Sequence, residues 1–190
     1  MARVLLFLVS CVFTQNVVFG RLLGACALGE NRRVAVAAAL GGFTALVMTV
    51  ASALGWAVCE LLLKPFGFMY LDLLALAGII LLVSFCAKLL AEKCFPKLAE
   101  GMGESLSMIA ANCAVLGIAL LNLEAGYDLG MSVLHGLFGG LGFTLAIVLM
   151  AGVQDRIEFS RVPKALKGLP ISLISASLIA LAFMGFMGMV

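Results

Sequence analysis

The chain has 190 residues, 64% of them hydrophobic and 12% charged, with a mean hydropathy of +1.23 and a formal charge of +2. Soluble domains are about half apolar and about a quarter charged, so this composition excludes an ordinary soluble domain and reads as an integral membrane protein. Charges fall in short clusters between long apolar runs, the pattern of spanning helices rather than of alternating barrel strands, and no basic surplus points to nucleic acid.

Six apolar segments follow one another at about 4–28, 34–58, 70–91, 105–123, 130–152 and 169–189. Each is near the roughly 20 residues a helix needs to cross the hydrocarbon. The first begins Met1-Ala2-Arg3, and Leu8-Val9-Ser10-Cys11 has the look of a lipoprotein cleavage box. The apolar run continues past Cys11 through Val17-Val18-Phe19, however, so it reads as a first span rather than a signal peptide. That span carries Gln15, Asn16, Gly20, Arg21, Gly24 and Gly29, and the short fourth carries Ser105, Ser107, Asn112, Gly117 and Asn122. Polar side chains and glycines of this kind let a helix break where its freed backbone groups face protein, so the first and fourth helices are predicted to be interrupted. The fifth holds Gly136, Gly139, Gly140 and Gly142, small residues that suit close helix packing. Joints are marked by Glu30-Asn31-Arg32-Arg33, Lys64-Pro65, Phe95-Pro96-Lys97, Glu124-Ala125-Gly126 and Arg161-Val162-Pro163.

With six spans, one side of the membrane receives ten Lys and Arg residues, Lys164 and Lys167 among them, and the other only Arg3 and Lys64. The basic side is cytoplasmic, which places both termini outside. Trp56, Tyr70 and Tyr127 then fall near the outer ends, where interfacial aromatics belong. Glu60, Asp72, Glu124 and Asp128 gather at the same end, as solvated loop carboxylates or as an exit path for a cation.

The halves repeat one another. Gly42-Phe43-Thr44-Ala45-Leu46-Val47-Met48 in the second span resembles Gly142-Phe143-Thr144-Leu145-Ala146-Ile147-Val148 in the fifth, and Pro65 precedes the third span as Pro163 and Pro170 precede the sixth. Cys26-Ala27-Leu28-Gly29 and Cys113-Ala114-Val115-Leu116-Gly117 mark equivalent first spans of the two halves. Three spans is an odd number, so the halves must be inverted relative to each other, and shared sites then lie near the midplane where broken helices meet. The expected fold is one all-α membrane domain over 1–190, with repeats over about 1–95 and about 100–190.

Six cysteines stand at 11, 26, 59, 86, 94 and 113, without a Cys-x-x-Cys pair, which excludes compact zinc-ribbon and ferredoxin spacings. A buried cysteine ordinarily acts as a small hydrophobe. Cys26 and Cys113 differ only in their matched settings, and from spacing alone they remain either packing residues or half of a metal site. The single histidine, His135, reads as a helix–helix hydrogen-bond or packing residue rather than a ligand. Asn16 and Asn112 could orient a bound group or line an ion path. No phosphate loop, dinucleotide fingerprint or catalytic triad is present.

The run Asn112-Cys113-Ala114-Val115-Leu116-Gly117-Ile118-Ala119-Leu120-Leu121-Asn122, with Ala182-Phe183-Met184-Gly185-Phe186 and Val162-Pro163-Lys164-Ala165-Leu166-Lys167-Gly168, closely resembles the Rnf/Nqr family of membrane subunits, above all the A-type member of Rnf ion-translocating complexes. That resemblance implies a non-autonomous subunit of a ferredoxin:NAD oxidoreductase that moves Na⁺ or H⁺ across a bacterial cytoplasmic (inner) membrane. It also implies an intramembrane [2Fe–2S] cluster shared with an inverted paralogous subunit, the E-type partner, with Cys26 and Cys113 as this chain's two ligands. Three positions depart from the family pattern: Ala27 and Ser107 stand where prolines are usual, and Gln15-Asn16 replaces an asparagine pair. A stand-alone inverted-repeat transporter carries the same span pattern, and a purely structural subunit would leave both cysteines as packing residues.

Overall fold

The computed structural model describes residues 2–21, 23, 34–66, 72–94, 112–159, 162–163 and 166–186. In chain order the helices are α1 (Ala2–Val9), α2 (Val17–Arg21), α3 (Val34–Val58), α4 (Asp72–Cys94), α5 (Cys113–Glu124), α6 (Leu129–Glu158) and α7 (Leu169–Met184). Among the described residues there is no strand. Val34–Leu63 and Leu129–Ile157, with mean hydropathies of 2.1 and 2.0, are the two described helices long and apolar enough to cross a membrane. At 12 residues α5 is only about 18 Å long, well short of the hydrocarbon thickness of about 30 Å.

The spine is the pair α3 and α6. Gly41 meets Thr144, Gly140 meets Ala45, and Gly136 meets Met48 and Ser52, so positions rise along one helix as they fall along the other and the pair is antiparallel. A Cβ on Gly140 would lie 2.5 Å from the Ala45 Cα, and one on Gly41 would lie 2.8 Å from the Thr144 Cα. Small residues four apart thus bring the two backbones together, which is the use expected of the fifth-span glycines. Gly139 takes the Ile118 side chain of α5, and Gly142 lies under the backbone of Cys11 and Val12, so α6 is packed on three sides. Around this spine the core is apolar, with Met48, Leu76, Ile118, Phe143 and Met150 buried. The outward faces of α4 (Leu74, Leu81, Leu82, Phe85) and α7 (Leu169, Leu173, Leu178, Leu181) are apolar and exposed, as lipid-facing surfaces are.

Three boundaries differ from the sequence expectation. First, α1 continues as a π-helical turn over Ser10–Thr14, in which the Gln15 N–H bonds to the Ser10 carbonyl at 2.7 Å, and the helix then breaks at Asn16. Second, Lys64-Pro65 does not end the second span. Helix α3 passes through a π turn, Cys59–Leu63, into Lys64–Phe66. Proline clashes with the carbonyl four residues before it, and a widened turn just ahead relieves that clash. Third, α6 runs on to Glu158, past the expected limit at 152, and carries Gln154, Asp155 and Arg156 on its last turns.

Candidate functional site

Cys113 is the first residue of α5. Asn112 caps that helix with an extended backbone (φ −74°, ψ 109°), and its side-chain oxygen accepts the Ala114 N–H at 3.0 Å. Asparagine is among the best residues for this position because its short amide satisfies a first-turn N–H that the helix cannot. Ala114, Val115, Ile118 and Ala119 turn inward and are almost fully buried, which leaves the Cys113 side chain exposed on the opposite face. The cap thus fixes a thiol at the chain's surface, on the amide-bearing end of a half-length helix. Cys11 and Cys59 are buried, whereas Cys86 is exposed on the lipid-facing side of α4. Cys26 lies outside the described residues, as does the Cys94 side chain. The nearest described neighbour of Cys26 on α2's exit, Leu23, packs its side chain against Gly117 of α5.

The first-span break is built by one side chain. Asn16, 2% exposed, donates from Nδ2 to the Val12 carbonyl at 2.9 Å and to the Gly142 carbonyl at 3.0 Å. Its Oδ1 accepts the N–H groups of Val18 and Phe19 at 3.0 and 3.4 Å, capping α2. Asn16 therefore spends its amide on backbone. Gly142 permits this close approach, since a Cβ there would lie 3.3 Å from both the Cys11 carbonyl oxygen and the Val12 Cα. Phe13 and Phe19 flank the break, and Phe183 of α7 stacks on both, with Phe186 on Phe13 at 5.4 Å between centroids. The Ala182–Phe186 motif thus clamps the interrupted span.

At the other end of α5, Asn122 and His135 form a buried pair, with Nδ1 2.5 Å from Oδ1. The amide Nδ2 faces the Ser132 carbonyl at 3.4 Å, so Oδ1 is the acceptor and the imidazole proton sits on Nδ1. Phe7 and Tyr127 pack their rings against the imidazole at 5.9 and 5.6 Å. His135 is a helix–helix hydrogen-bond residue, as its setting in a glycine-rich span implied. Its partner was not foreseen, although a lone Asn at the end of a short span is the signal that marks it. Above the pair opens a cavity of about 430 Å³ lined by Trp56, Glu60, Lys64, Asn122, Glu124, Tyr127 and Asp128. Glu60 and Lys64 are ion-paired one helical turn apart, so three carboxylates and one ammonium share this space. The Asp72 side chain and Tyr70 lie outside the described residues.

Among the described residues, no three His, Cys, Asp or Glu side chains converge as a metal site would require. Comparison with known proteins then decides the family: residues 4–190 match the family described as "Rnf-Nqr subunit, membrane protein". The chain belongs to the Rnf-Nqr family. It is 41% identical over 183 residues (96% of this chain, 95% of the relative) to the A-type subunit of the Na⁺-translocating ferredoxin:NAD⁺ oxidoreductase complex of Acetobacterium woodii. It is also 41% identical over 191 residues (100% and 99%) to the A-type subunit of the ion-translocating oxidoreductase complex of Syntrophotalea carbinolica. The corresponding A-type subunit in an Azoarcus species is 40% identical over 190 residues (100% and 98%). Cys113 presents a soft thiol at the positive end of a helix dipole, a setting that favours a negatively charged group.

Proposed function

We propose that this chain is the A-type membrane subunit of an ion-translocating ferredoxin:NAD oxidoreductase complex in a bacterial cytoplasmic membrane. In this reading Cys113 and Cys26 supply two thiolate ligands of a [2Fe–2S] cluster, and an inverted paralogous subunit supplies the other two. The observation that carries it is the exposed Cys113 thiol, held by the Asn112 cap at the start of a helix too short to span the membrane. A ligand shared between chains has to stand at the chain's surface.

The reading includes six spans in one domain, with inverted repeats over about 1–95 and about 100–190 and both termini outside. Two features support it. Thr44 and Thr144, matched in the repeat, each bond the carbonyl four residues back at 2.8 Å. Asn16 and Asn112 each cap the helix that follows them.

When bound, such a cluster supplies one-electron transfer at membrane depth. The chain's own residues prepare the place. Asn112 fixes the backbone from which the Cys113 thiol projects. The Leu23–Gly117 contact holds Leu23, three residues before Cys26 in sequence, against α5. Asn16 and Phe183 hold the break in the first span, and the glycine seam brings α3 and α6 into close contact. The acidic cavity beside Trp56 and Tyr127 supplies a polar outer mouth.

Iron analysis tests the proposal. This chain purified with its inverted paralogue is expected to be coloured and to contain iron and acid-labile sulfide in equal amounts. A colourless, iron-free complex that still turns over would sink the relay reading in favour of a transporter.

A further inference from the structure

Apart from Cys113 at its start and Glu124 at its end, α5 carries one polar side chain, Asn122, among residues that are apolar on every face. In water an apolar stripe would decide which side of such a helix turns inward. Lipid tails are as apolar as leucine, so within a membrane that pattern decides little, and close packing and interhelical hydrogen bonds set the rotation instead. Asn122 is the directional anchor. It is 4% exposed, its Oδ1 accepts from His135 Nδ1 at 2.5 Å, and its Nδ2 faces the Ser132 carbonyl at 3.4 Å. Both ends of the amide are thus committed to α6.

Counted from Cys113 at about 100° per residue, Ala114 lies at about 100°, Ile118 at about 140°, Asn122 at about 180°, Val115 at about 200° and Ala119 at about 240°. These five are the buried residues of α5, and Asn122 sits in the middle of their arc, directly opposite the exposed Cys113. We infer that His135 is a positioning residue for Cys113: by holding Asn122 against α6 it sets the rotation of α5, and with it the direction in which the thiol leaves the bundle. The imidazole is itself fixed, since Phe7 of α1 and Tyr127 pack their rings on it at 5.9 and 5.6 Å. The nine residues between anchor and thiol form a rigid helical rod of about 13.5 Å, so a turn at one end is a turn at the other. As the positioning of a ligand this rests on the cluster reading of Cys113, whereas the direction of the side chain is measurable without iron.

Two measurements on the complex with the inverted paralogue test this. In the first, nitroxide labels on Cys113 and Cys86, with every other cysteine of the complex replaced and iron absent, report their separation by pulsed electron paramagnetic resonance. The informative variant is Asn122→Leu with His135→Leu, which removes both partners, leaves neither amide nor imidazole unpaired, and is expected to keep the wild-type thermal midpoint. Its distance distribution is expected to shift and broaden, since a turn by one residue position carries a side-chain tip at about 5–6 Å from the helix axis through about 8 Å. His135→Asn, which keeps a donor where Nδ1 stands, is expected to retain the wild-type distribution. In the second measurement, with native cysteines and iron loaded, the double-leucine variant is expected to lose the wild-type paramagnetic signal of the reduced cluster and His135→Asn to keep it. An unchanged distance distribution in the double-leucine variant would overturn the inference, and so would an unchanged cluster signal beside a shifted distribution. A shifted distribution in a complex whose wild type binds no iron would uphold the control of α5 by His135 and remove the cluster reading alone.

Discussion

Leu23 packs against Gly117, and this contact ties the two halves of the chain together. Leu23 is three residues before Cys26, a reach of about 10 Å, and Gly117 is four residues after Cys113, about 6 Å along the helix. In a chain lacking Cys11, Cys59, Cys86 and Cys94, the two remaining cysteines are therefore expected to crosslink with short bis-thiol reagents once iron is removed. Gly117→Phe should lower the yield, because its ring would take the space that Leu23 fills. No crosslink under any redox condition tried would count heavily against a shared site.

The glycine seam makes a second, purely structural claim. At Gly140 an added side chain meets the Ala45 backbone, which cannot yield as a flexible side-chain tip would. Gly140→Val is expected to destabilise the protein by about 1–3 kcal/mol, the usual range for overpacking, read as a lower thermal midpoint in detergent. Gly152→Ala, where nothing lies within 4 Å, should stay within about 0.5 kcal/mol of wild type. Equal effects at the two positions would mean that α3 and α6 do not meet along this seam.

Asn16 is the third point of leverage. Asn16→Ala strips the Gly142 and Val12 carbonyls of a donor and α2 of its cap, and is expected to cost about 1–3 kcal/mol. Asn16→Asp keeps the cap acceptor but loses both donations and buries a carboxylate against two carbonyls, so it should be worse than alanine. An aspartate variant as stable as wild type would show that the break does not depend on this amide. Comparative thermal unfolding of the two variants decides.

Much of this fold was legible because the break-forming residues are chemically conspicuous. Gln15-Asn16 and Asn112 interrupt apolar runs, and the structure puts a helix start directly after Asn16 and after Asn112. The π turns at Ser10–Thr14 and Cys59–Leu63 were not legible, since apolar residues fill them as they would fill an α-helical turn. For the same reason Pro65 read as a joint, although the widened turn before it carries the helix through to Phe66. The end of α6 was placed too early because Gln154, Asp155 and Arg156 are polar, and polarity marks the edge of the membrane rather than the end of a helix. At the candidate site, the helix start at Asn112-Cys113 was legible and the contacts around it were not. The Leu23–Gly117 and Asn122–His135 contacts join residues from different spans, and no local pattern encodes such pairings.

Exposure alone does not separate a ligand from a bystander, and this gives the cysteine series its force. Cys86 and Cys113 are both exposed, but Cys86 stands among Leu82, Phe85 and Leu89 on the lipid-facing side of α4, while Cys113 begins a capped half-length helix. If Cys26 and Cys113 bind iron, serine at either position should remove the cluster, because a serine oxygen is a harder donor than a thiolate. Serine at Cys86 should be nearly silent. At the buried Cys11 and Cys59 it should affect stability slightly and iron not at all, and Cys94→Ser should likewise leave iron in place. The chain expressed alone should hold no stable cluster, and co-expression with the inverted paralogue should restore it. Electron transfer and ion movement should then fail together in Cys113→Ser while the complex still assembles. A Cys113→Ser complex that keeps its iron and turns over at the wild-type rate would end the relay reading and leave Cys113 as a surface residue of a transporter.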